Sequence, residues 1–593
     1  MSLGNLIKGF WSHLTVRRKR QLFLLFCLMV LTSFADVLSL GAVLPFLGAL
    51  TQPEKIFAYQ ELQPFFKWLQ IGSPEDLLFP ITMIFVFAVV LAGGMRLLLL
   101  YVQTRVSFSI GADLSYQVYR RTLYQPYSVH LSRNSSEIIS GVTTKIGLII
   151  TYFLNPILVL SSSVVILIAI MTALLAVDPL VSSIAFLGFG AIYLLTILIT
   201  RRRLAFYSKE ISTESNQVVK VLQEGLGGIR DVLIDGTQEI YCKQYRMADI
   251  PLRRAQAGSA IIGGFPRYAV EALGMSFIAI LAYILSKQEG SMASVITLLG
   301  VLALGAQRLL PVLQQAYVSI VQLRSGRESM HDALKLLNQP VNMEPRDARG
   351  IALPYKSSID ICDVDFNYAQ GSPLILSKLN FRIQHGSCVG FIGATGSGKS
   401  TLLDVLMGLL VPTGGRILID GVELNKKNRK AWQRLIAHVP QSIYLTDASI
   451  IENIAFGVPA DKIDRARALL AAQQAQISSY IEALEEGYET KVGERGVRLS
   501  GGQRQRIGIA RALYKQAEVI IFDEATSALD NETEAAVMDA IARLKGRVTL
   551  LIVAHRLSTL NQCDSIFELK NGHIGQSKVR LGATDIVPMD RDL

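Results

Sequence analysis

Charged residues are scarce in this 593-residue chain: 18% are Asp, Glu, Lys or Arg, where a soluble protein of ordinary composition carries about a quarter. With half of the residues hydrophobic and a mean hydropathy of +0.36, that shortage excludes an ordinary cytosolic protein and an intrinsically disordered one. Paired cysteines are lacking as well. Cys27, Cys242, Cys362, Cys388 and Cys563 are odd in number, far apart and form no Cys-x-x-Cys pair, so neither a disulfide framework nor a zinc site is supported. The length corresponds to about three to six domains, unless long membrane helices absorb much of it.

Negative charge is also in deficit, 48 Asp and Glu against 59 Lys and Arg, a net +11. Such a surplus can mark a nucleic-acid binder. Here, however, Arg17-Arg18-Lys19-Arg20 and Arg201-Arg202-Arg203 sit beside apolar runs, which is the pattern of the cytoplasmic flanks of membrane helices. No nucleic-acid partner is expected.

What is present in abundance is long apolar sequence, confined to the first 330 residues. Six runs are long enough to cross a hydrocarbon core of about 30 Å: 21–50, 77–105, 148–177, 180–200, 260–286 and 292–323. The basic clusters and Arg120-Arg121 fall on one side, and the intervening loops 51–76, 178–179 and 287–291 are poor in Lys and Arg. This asymmetry predicts cytoplasmic N- and C-terminal ends. The first run is too long for a signal-peptide core and no Ala-x-Ala site follows it, so it is expected to be retained. The polar, periodic segments 116–145 and 204–258 read as helices continuing into the cytoplasm. Pro126 interrupts one, and Gly225, Gly227 and Gly228 the other; each tip reads either as a short helix presenting a contact surface or as an ordinary loop. The expected organisation is a membrane domain at 1–330, a linker at 331–356, a soluble domain at 357–575 and a tail at 576–593.

The soluble part opens its chemistry with Gly393-Ala-Thr-Gly396-Ser397-Gly398-Lys399-Ser400-Thr401, preceded by strand-like 387–392 and followed by apolar 402–410. This is a P-loop in its strand–loop–helix context, in which glycines let main-chain N–H groups wrap phosphates and a helix N-terminus favours their charge. Lys399 is placed to reach the β- and γ-phosphates and Ser400 to ligate Mg²⁺. A second apolar strand, Val519–Phe522, ends in Asp523-Glu524. A parallel central strand would deliver both carboxylates to the ligand end of the sheet, Asp523 for the Mg²⁺ shell and Glu524 for polarising the attacking water.

Between them stands Leu499-Ser500-Gly501-Gly502-Gln503, and with it the chain resembles the ATP-binding cassette (ABC) family over about 220 residues. The resemblance implies further roles. Tyr368 stacks on adenine, and Gln441 senses the γ-phosphate and joins the metal shell. Ser527-Ala528-Leu529-Asp530 completes the motif set, and His555 is the switch histidine. In the family, Ser500, Gly501, Gly502 and Gln503 cap ATP held by a second subunit. One cassette and six spans therefore imply a half-transporter acting as a homodimer through both domains, with ATP and Mg²⁺ as cofactors. The fold implied is a six-helix membrane bundle of the ABC exporter type fused to an α/β P-loop ATPase. Residues 490–496 resemble the exporter cross-linking loop, which points to outward transport.

Three arginines lie inside spans, where charge is costly and defaults to function. Arg96, Arg267 and Arg308 sit 19, 20 and 17 residues from the outer ends of their runs, a common depth of roughly 26–30 Å at the helical rise. They form either a belt for a phosphate or pyrophosphate or snorkelling and neutralised side chains, with Glu271 one turn from Arg267 and Asp36 as a further partner. The segments 34–47, 265–274 and 302–311 resemble the lipid-linked oligosaccharide flippases of bacterial protein N-glycosylation. That resemblance implies a polyprenyl-pyrophosphate-linked oligosaccharide or other glycolipid substrate in the bacterial inner membrane, with membrane lipids as surroundings. A multidrug or peptide exporter is the alternative; a channel or regulator on the same fold would tolerate a degenerate catalytic set, and none is seen.

Overall fold

The computed structural model describes residues 3–51, 53–57, 73–133, 139–177, 179–286, 292–340, 353–369, 371–525, 531–554, 560 and 563–577. These divide into two units, Met1–Gln125 with His130–Asn342, and Pro126–Val129 with Met343–Leu593.

The first unit is helical. Its long members are α1 (Val16–Gly41), α2 (Leu78–Leu123), α3 (Asn155–Val177), α4 (Pro179–Gly227), α5 (Gln238–Ser286) and α6 (Met292–Ser325), one for each apolar run. Among the described residues, three stretches are long and apolar enough to cross a membrane by themselves: Val16–Leu50, Leu78–Leu123 and Gly147–Ala173. Thr15 caps α1 by accepting from Arg18 N, and the first run breaks at Ala42 into a second helix, Val43–Thr51. The 49 residues of α4 and of α5 give about 74 Å at 1.5 Å per residue, more than twice a hydrocarbon core. A short helix, Ile229–Ile234, stands after α4, and another, Tyr127–Ser132, follows α2 with its first three residues belonging to the second unit. Packing joins α1 to α2, α3 to α6 and α4 to α5. Buried Tyr193, Val270, Leu309, Tyr317 and Val321 form one of its cores.

The interval 331–356, expected as linker, opens inside a helix, Arg327–Leu337. Its Met330, Ala333, Leu334 and Leu337 are buried with Leu6, Phe10, Ile110 and Leu114, so apolar periodicity extends the first unit beyond the last span.

The second unit holds two sheets. β1 (Ser358–Phe366), β2 (Leu376–Gln384), β4 (Gly414–Ile419) and β5 (Val422–Glu423) form an antiparallel sheet in the order β2-β1-β4-β5. The other is ordered β10-β9-β3-β8-β7-β6, from β3 (Cys388–Ile392), β6 (Ile436–Val439), β7 (Val519–Asp523), β8 (Thr549–Val553), β9 (Ser565–Lys570) and β10 (His573–Ser577). It is parallel throughout except at β9–β10. β7 lies between two parallel neighbours, which explains its wholly apolar run. Cys388 and Cys563 bring their sulfurs within 3.2 Å as free thiols, a pairing that their distance in sequence conceals.

Candidate active site and membrane cavity

The turn after β3 is a main-chain cradle. Gly393, Gly396 and Gly398 take φ of 150°, 83° and 101°, a region that side chains rarely tolerate. A Cβ on Gly393 would lie 2.4 Å from the Leu569 carbonyl oxygen and 2.8 Å from Ser397 Oγ. Gly398 then caps α7 (Lys399–Leu406), whose first residues are Lys399, Ser400 and Thr401. Lys399 Nζ donates to the carbonyls of Gly393, at 2.7 Å, and Ala394, at 3.1 Å, which holds the buried ammonium over the loop. The buried Ser397 Oγ has no hydrogen-bond partner, an orphan that phosphate oxygens would satisfy.

The acidic pair stands at the end of β7. Ser400 lies close enough to Asp523 to favour its charged form. Burial, then the charge of Glu524, raises the Asp523 carboxyl above the usual range, while Ser400 and Lys399 act in the opposite sense. Glu524 has a φ of 50°, uncommon outside glycine, and is pinned by its N–H donating to the Val553 carbonyl at 2.9 Å. Gln441 Nε2 donates to Glu524 Oε2 at 2.7 Å. Lys399, Ser400, Gln441, Asp523 and Glu524 are thus linked or adjacent around one loop. Tyr368 is exposed and its hydroxyl lies 3.0 Å from Thr401 Oγ1. Asp404 on α7 belongs to the same surroundings: burial, then the Asp523 charge, pushes it up to about 6. No motif names Asp404; its signal in the sequence is a lone carboxylate inside apolar 402–410.

The segment Ser500–Gln503 opens α8 (Gly501–Lys515) with a capping box, in which Ser500 Oγ accepts from Gln503 N while Gln503 Oε1 accepts from Ser500 N. Gly501 and Gly502 form the first helical positions. From the same helix Arg511 reaches the carbonyls of Asn453 at 3.0 Å and Tyr444 at 3.1 Å and lies over the Phe456 ring. Burial lowers its guanidinium to about 10. It ties the loop after Gln441 to the helix that carries Ser500. Sequence reasoning missed it, although a single arginine in Ile507–Leu513 is the available signal. His555 and residues 527–530 lie outside the described residues.

In the first unit Arg96 Nε is paired with Asp36 Oδ1 at 2.8 Å, with Asp36 buried and Arg96 partly open. Arg96 borders a cavity of about 800 Å³ lined from α2, α3 and α6. Arg267 is exposed on α5 and lies 4.0 Å from Glu271. Arg308 is on α6, and its side chain lies outside the described residues.

Residues 376–527 match the model of the ABC transporter family, and 22–304 match that of the ABC transporter transmembrane region. The ATP-dependent lipid A-core flippase of Albidiferax ferrireducens is 30% identical, over 80% of this chain and 81% of its own. The chain belongs to the ABC transporter family. The heterocyst differentiation ATP-binding protein HepA of Nostoc sp. is 28% identical over 95% of this chain and 93% of that protein. The structure of a bacterial Atm1-family ABC exporter with ATP bound superposes with a TM-score of 0.76 at 25% identity, covering 94% of each chain. The molecule is an ABC exporter: a transmembrane domain fused to an ATP-binding, ATP-hydrolysing cassette.

Proposed function

We propose that this ABC exporter is a flippase that uses ATP to move a polyprenyl-pyrophosphate-linked oligosaccharide, or a glycolipid with a similar anionic headgroup, from the cytoplasmic to the outer side of a bacterial inner membrane. The observation that carries the reading is Arg96: an Asp36-braced guanidinium at the wall of a membrane-domain cavity. Charge within a span marks a substrate path, and guanidinium matches phosphate oxygens. The names of the flippase relatives point the same way. Arg267 and Arg308 complete the anion site in this reading, and a second copy of the chain supplies the other half.

In the cassette, Lys399 and the Gly393–Gly398 main chain hold the β- and γ-phosphates, and Tyr368 carries the adenine. Ser400, Asp523 and Gln441 would hold Mg²⁺. This small donor set suits an ion that takes one or two carboxylates plus substrate phosphates, and Ser400 and Asp523 already stand near one another. Bound there, Mg²⁺ supplies positive charge against the β- and γ-phosphate oxygens. Glu524, oriented by Gln441, accepts the proton of the attacking water, and His555 serves as the switch histidine that the family resemblance implies. Ser500, Gly501, Gly502 and Gln503 close the site on the partner subunit's ATP.

Purified protein in proteoliposomes tests the substrate. Arg96→Ala/Arg267→Ala/Arg308→Ala should lose transport of a labelled polyprenyl-pyrophosphate glycan, keep basal ATPase, and be only partly rescued by Lys, which lacks the planar fork. Full flipping by the triple variant defeats the reading; stimulation by drugs or peptides and not by glycolipids favours the multidrug alternative.

A further inference from the structure

Among the described side chains on the wall of the 800 Å³ cavity, Arg96 is the one that carries charge; most of the wall is aliphatic, and besides two serines its neutral polar groups are amides: Gln103 from α2 and Gln307, Gln314, Gln315 and Gln322 from α6. Gln307, Gln315 and Gln322 are spaced by eight and seven residues, which places them within a sector of about 80° at 100° per residue. A neighbour on the same helix behaves differently. Gln314 accepts from the Tyr193 hydroxyl and donates to the Gly263 carbonyl, both at 3.0 Å, so its amide is spent on holding α4, α5 and α6 together. Gln307 and Gln315 are exposed and Gln322 half-buried, and all three face the chamber.

Amides in this position have a definite chemistry. Each offers two N–H donors and a carbonyl acceptor, and a sugar hydroxyl needs both a donor and an acceptor. An amide carries no net charge, so it gives a phosphate little preference over water, and its desolvation costs far less than that of an ion. A wall for apolar drugs would have no row of amides, and a wall for a bare anion would have no use for one. Here, among the described side chains, a guanidinium adjoins a row of neutral amides set in a largely aliphatic wall.

We propose that Gln103, Gln307, Gln315 and Gln322 form a subsite for sugar hydroxyls beside Arg96, so that the transported headgroup is a glycan whose anionic link to its lipid lies at the arginine. The inference rests on the flippase reading and deepens it by assigning the glycan its own residues. Polar side chains on membrane helices also serve as interhelical glue; that role predicts a different result.

The experiment compares Gln307→Leu/Gln315→Leu/Gln322→Leu with wild type in proteoliposomes, using two matched pairs of lipids. One pair is polyprenyl pyrophosphate with and without its oligosaccharide; the other is lipid A with and without core sugars. Leucine keeps the bulk and removes the hydrogen bonds. Wild type should be stimulated more strongly by the sugar-bearing member of a pair. The variant should lose that preference by about tenfold or more, as expected for several lost hydrogen bonds, with basal ATPase and the response to the bare lipid unchanged. Asparagine at the same positions should restore part of the preference. A folded variant that keeps the full preference overturns the proposal, as does a wild type with no preference in either pair. Loss of dimer cross-linking together with the bare-lipid response also overturns it, and assigns the glutamines to helix association. If only the lipid A pair is active and the variant erases its sugar preference, the polyprenyl carrier is wrong and the glycan subsite stands.

Discussion

In the cassette, the candidate site is built from main chain. Gly393, Gly396 and Gly398 bend the P-loop, the N-terminus of α7 faces it, and Asp523 and Glu524 stand at a strand end. In the membrane unit, side chains at helical spacing carry it: Arg96 and Gln103 from one helix, Gln307, Gln315 and Gln322 from another. A triphosphate is the same in every such enzyme and can be wrapped by peptide groups, which demands contiguous residues of fixed type. A transported headgroup varies and is met by side chains that any lipid-embedded helix can exchange without altering its backbone. Mutations should therefore be all-or-none in the first region and graded, substrate by substrate, in the second.

The largest expected effect is chemical. Glu524→Gln leaves the Gln441 contact geometrically possible and removes the base, so hydrolysis should fall by about 10²–10⁴-fold while ATP binding persists and the cassettes remain closed on nucleotide. Single-turnover hydrolysis and nucleotide trapping measure both. Wild-type turnover would remove Glu524 from the chemistry.

In the membrane unit the sharpest break is at Asp36 and Arg96. Arg96→Ala removes the cation that lies 2.8 Å from the buried Asp36 carboxylate, a loss on the order of 3 kcal/mol, and should lower the yield of folded protein. Combining it with Asp36→Asn should restore yield but not transport. Recovery of both in the double variant would mean that Arg96 only neutralises Asp36. Size-exclusion profiles report folding, and the flipping assay reports the second property.

Arg511 lies between the two extremes, a side chain fastening main chain. Arg511→Ala orphans the Tyr444 and Asn453 carbonyls, each bond to a charged group being worth about 1.5–3 kcal/mol before relaxation. The expected outcome is a lower thermal midpoint and weakened ATPase, partly rescued by Lys. An unchanged ATPase at a lowered midpoint would confine Arg511 to stability.

Legibility followed the same division. The loop at 393–401, the Asp523-Glu524 strand end and Ser500–Gln503 could be read because each joins a local conformation to its residue types, and β7 proved parallel on both sides. The six apolar runs could be read because a bilayer fixes their length. Three features were hidden. The glutamine wall depends on which face of α6 meets α2 and α3, which apolarity leaves open when lipid and protein are equally greasy. The helix Arg327–Leu337 was concealed by the low apolarity of its exposed face, and the Gln441–Glu524 contact spans 83 residues, a distance that only the β6–β7 pairing closes.

The smallest effect concerns Asp404, whose carboxyl is pushed up to about 6 by burial and then by Asp523. The unfolded chain would titrate near 3.8, the ordinary value for Asp. Between these values the folded state binds more protons than the unfolded one, so this group's contribution to stability falls as pH rises from about 4 to about 6 and remains lost above it. A separation of that size corresponds to at most about 3 kcal/mol; because the site is only half-buried, about 1 kcal/mol is the realistic scale after solvent screening. Asp404→Asn should therefore raise the nucleotide-free thermal midpoint slightly at pH 7.5, and the gain should shrink toward pH 4.5. Thermal scans of wild type and variant at both pH values, without nucleotide or Mg²⁺, measure the difference directly. A gain that is the same at both pH values would assign the effect to packing. A loss at pH 7.5 would show that the charge on Asp404 stabilises the cassette, reversing the sign argued from its position beside Asp523.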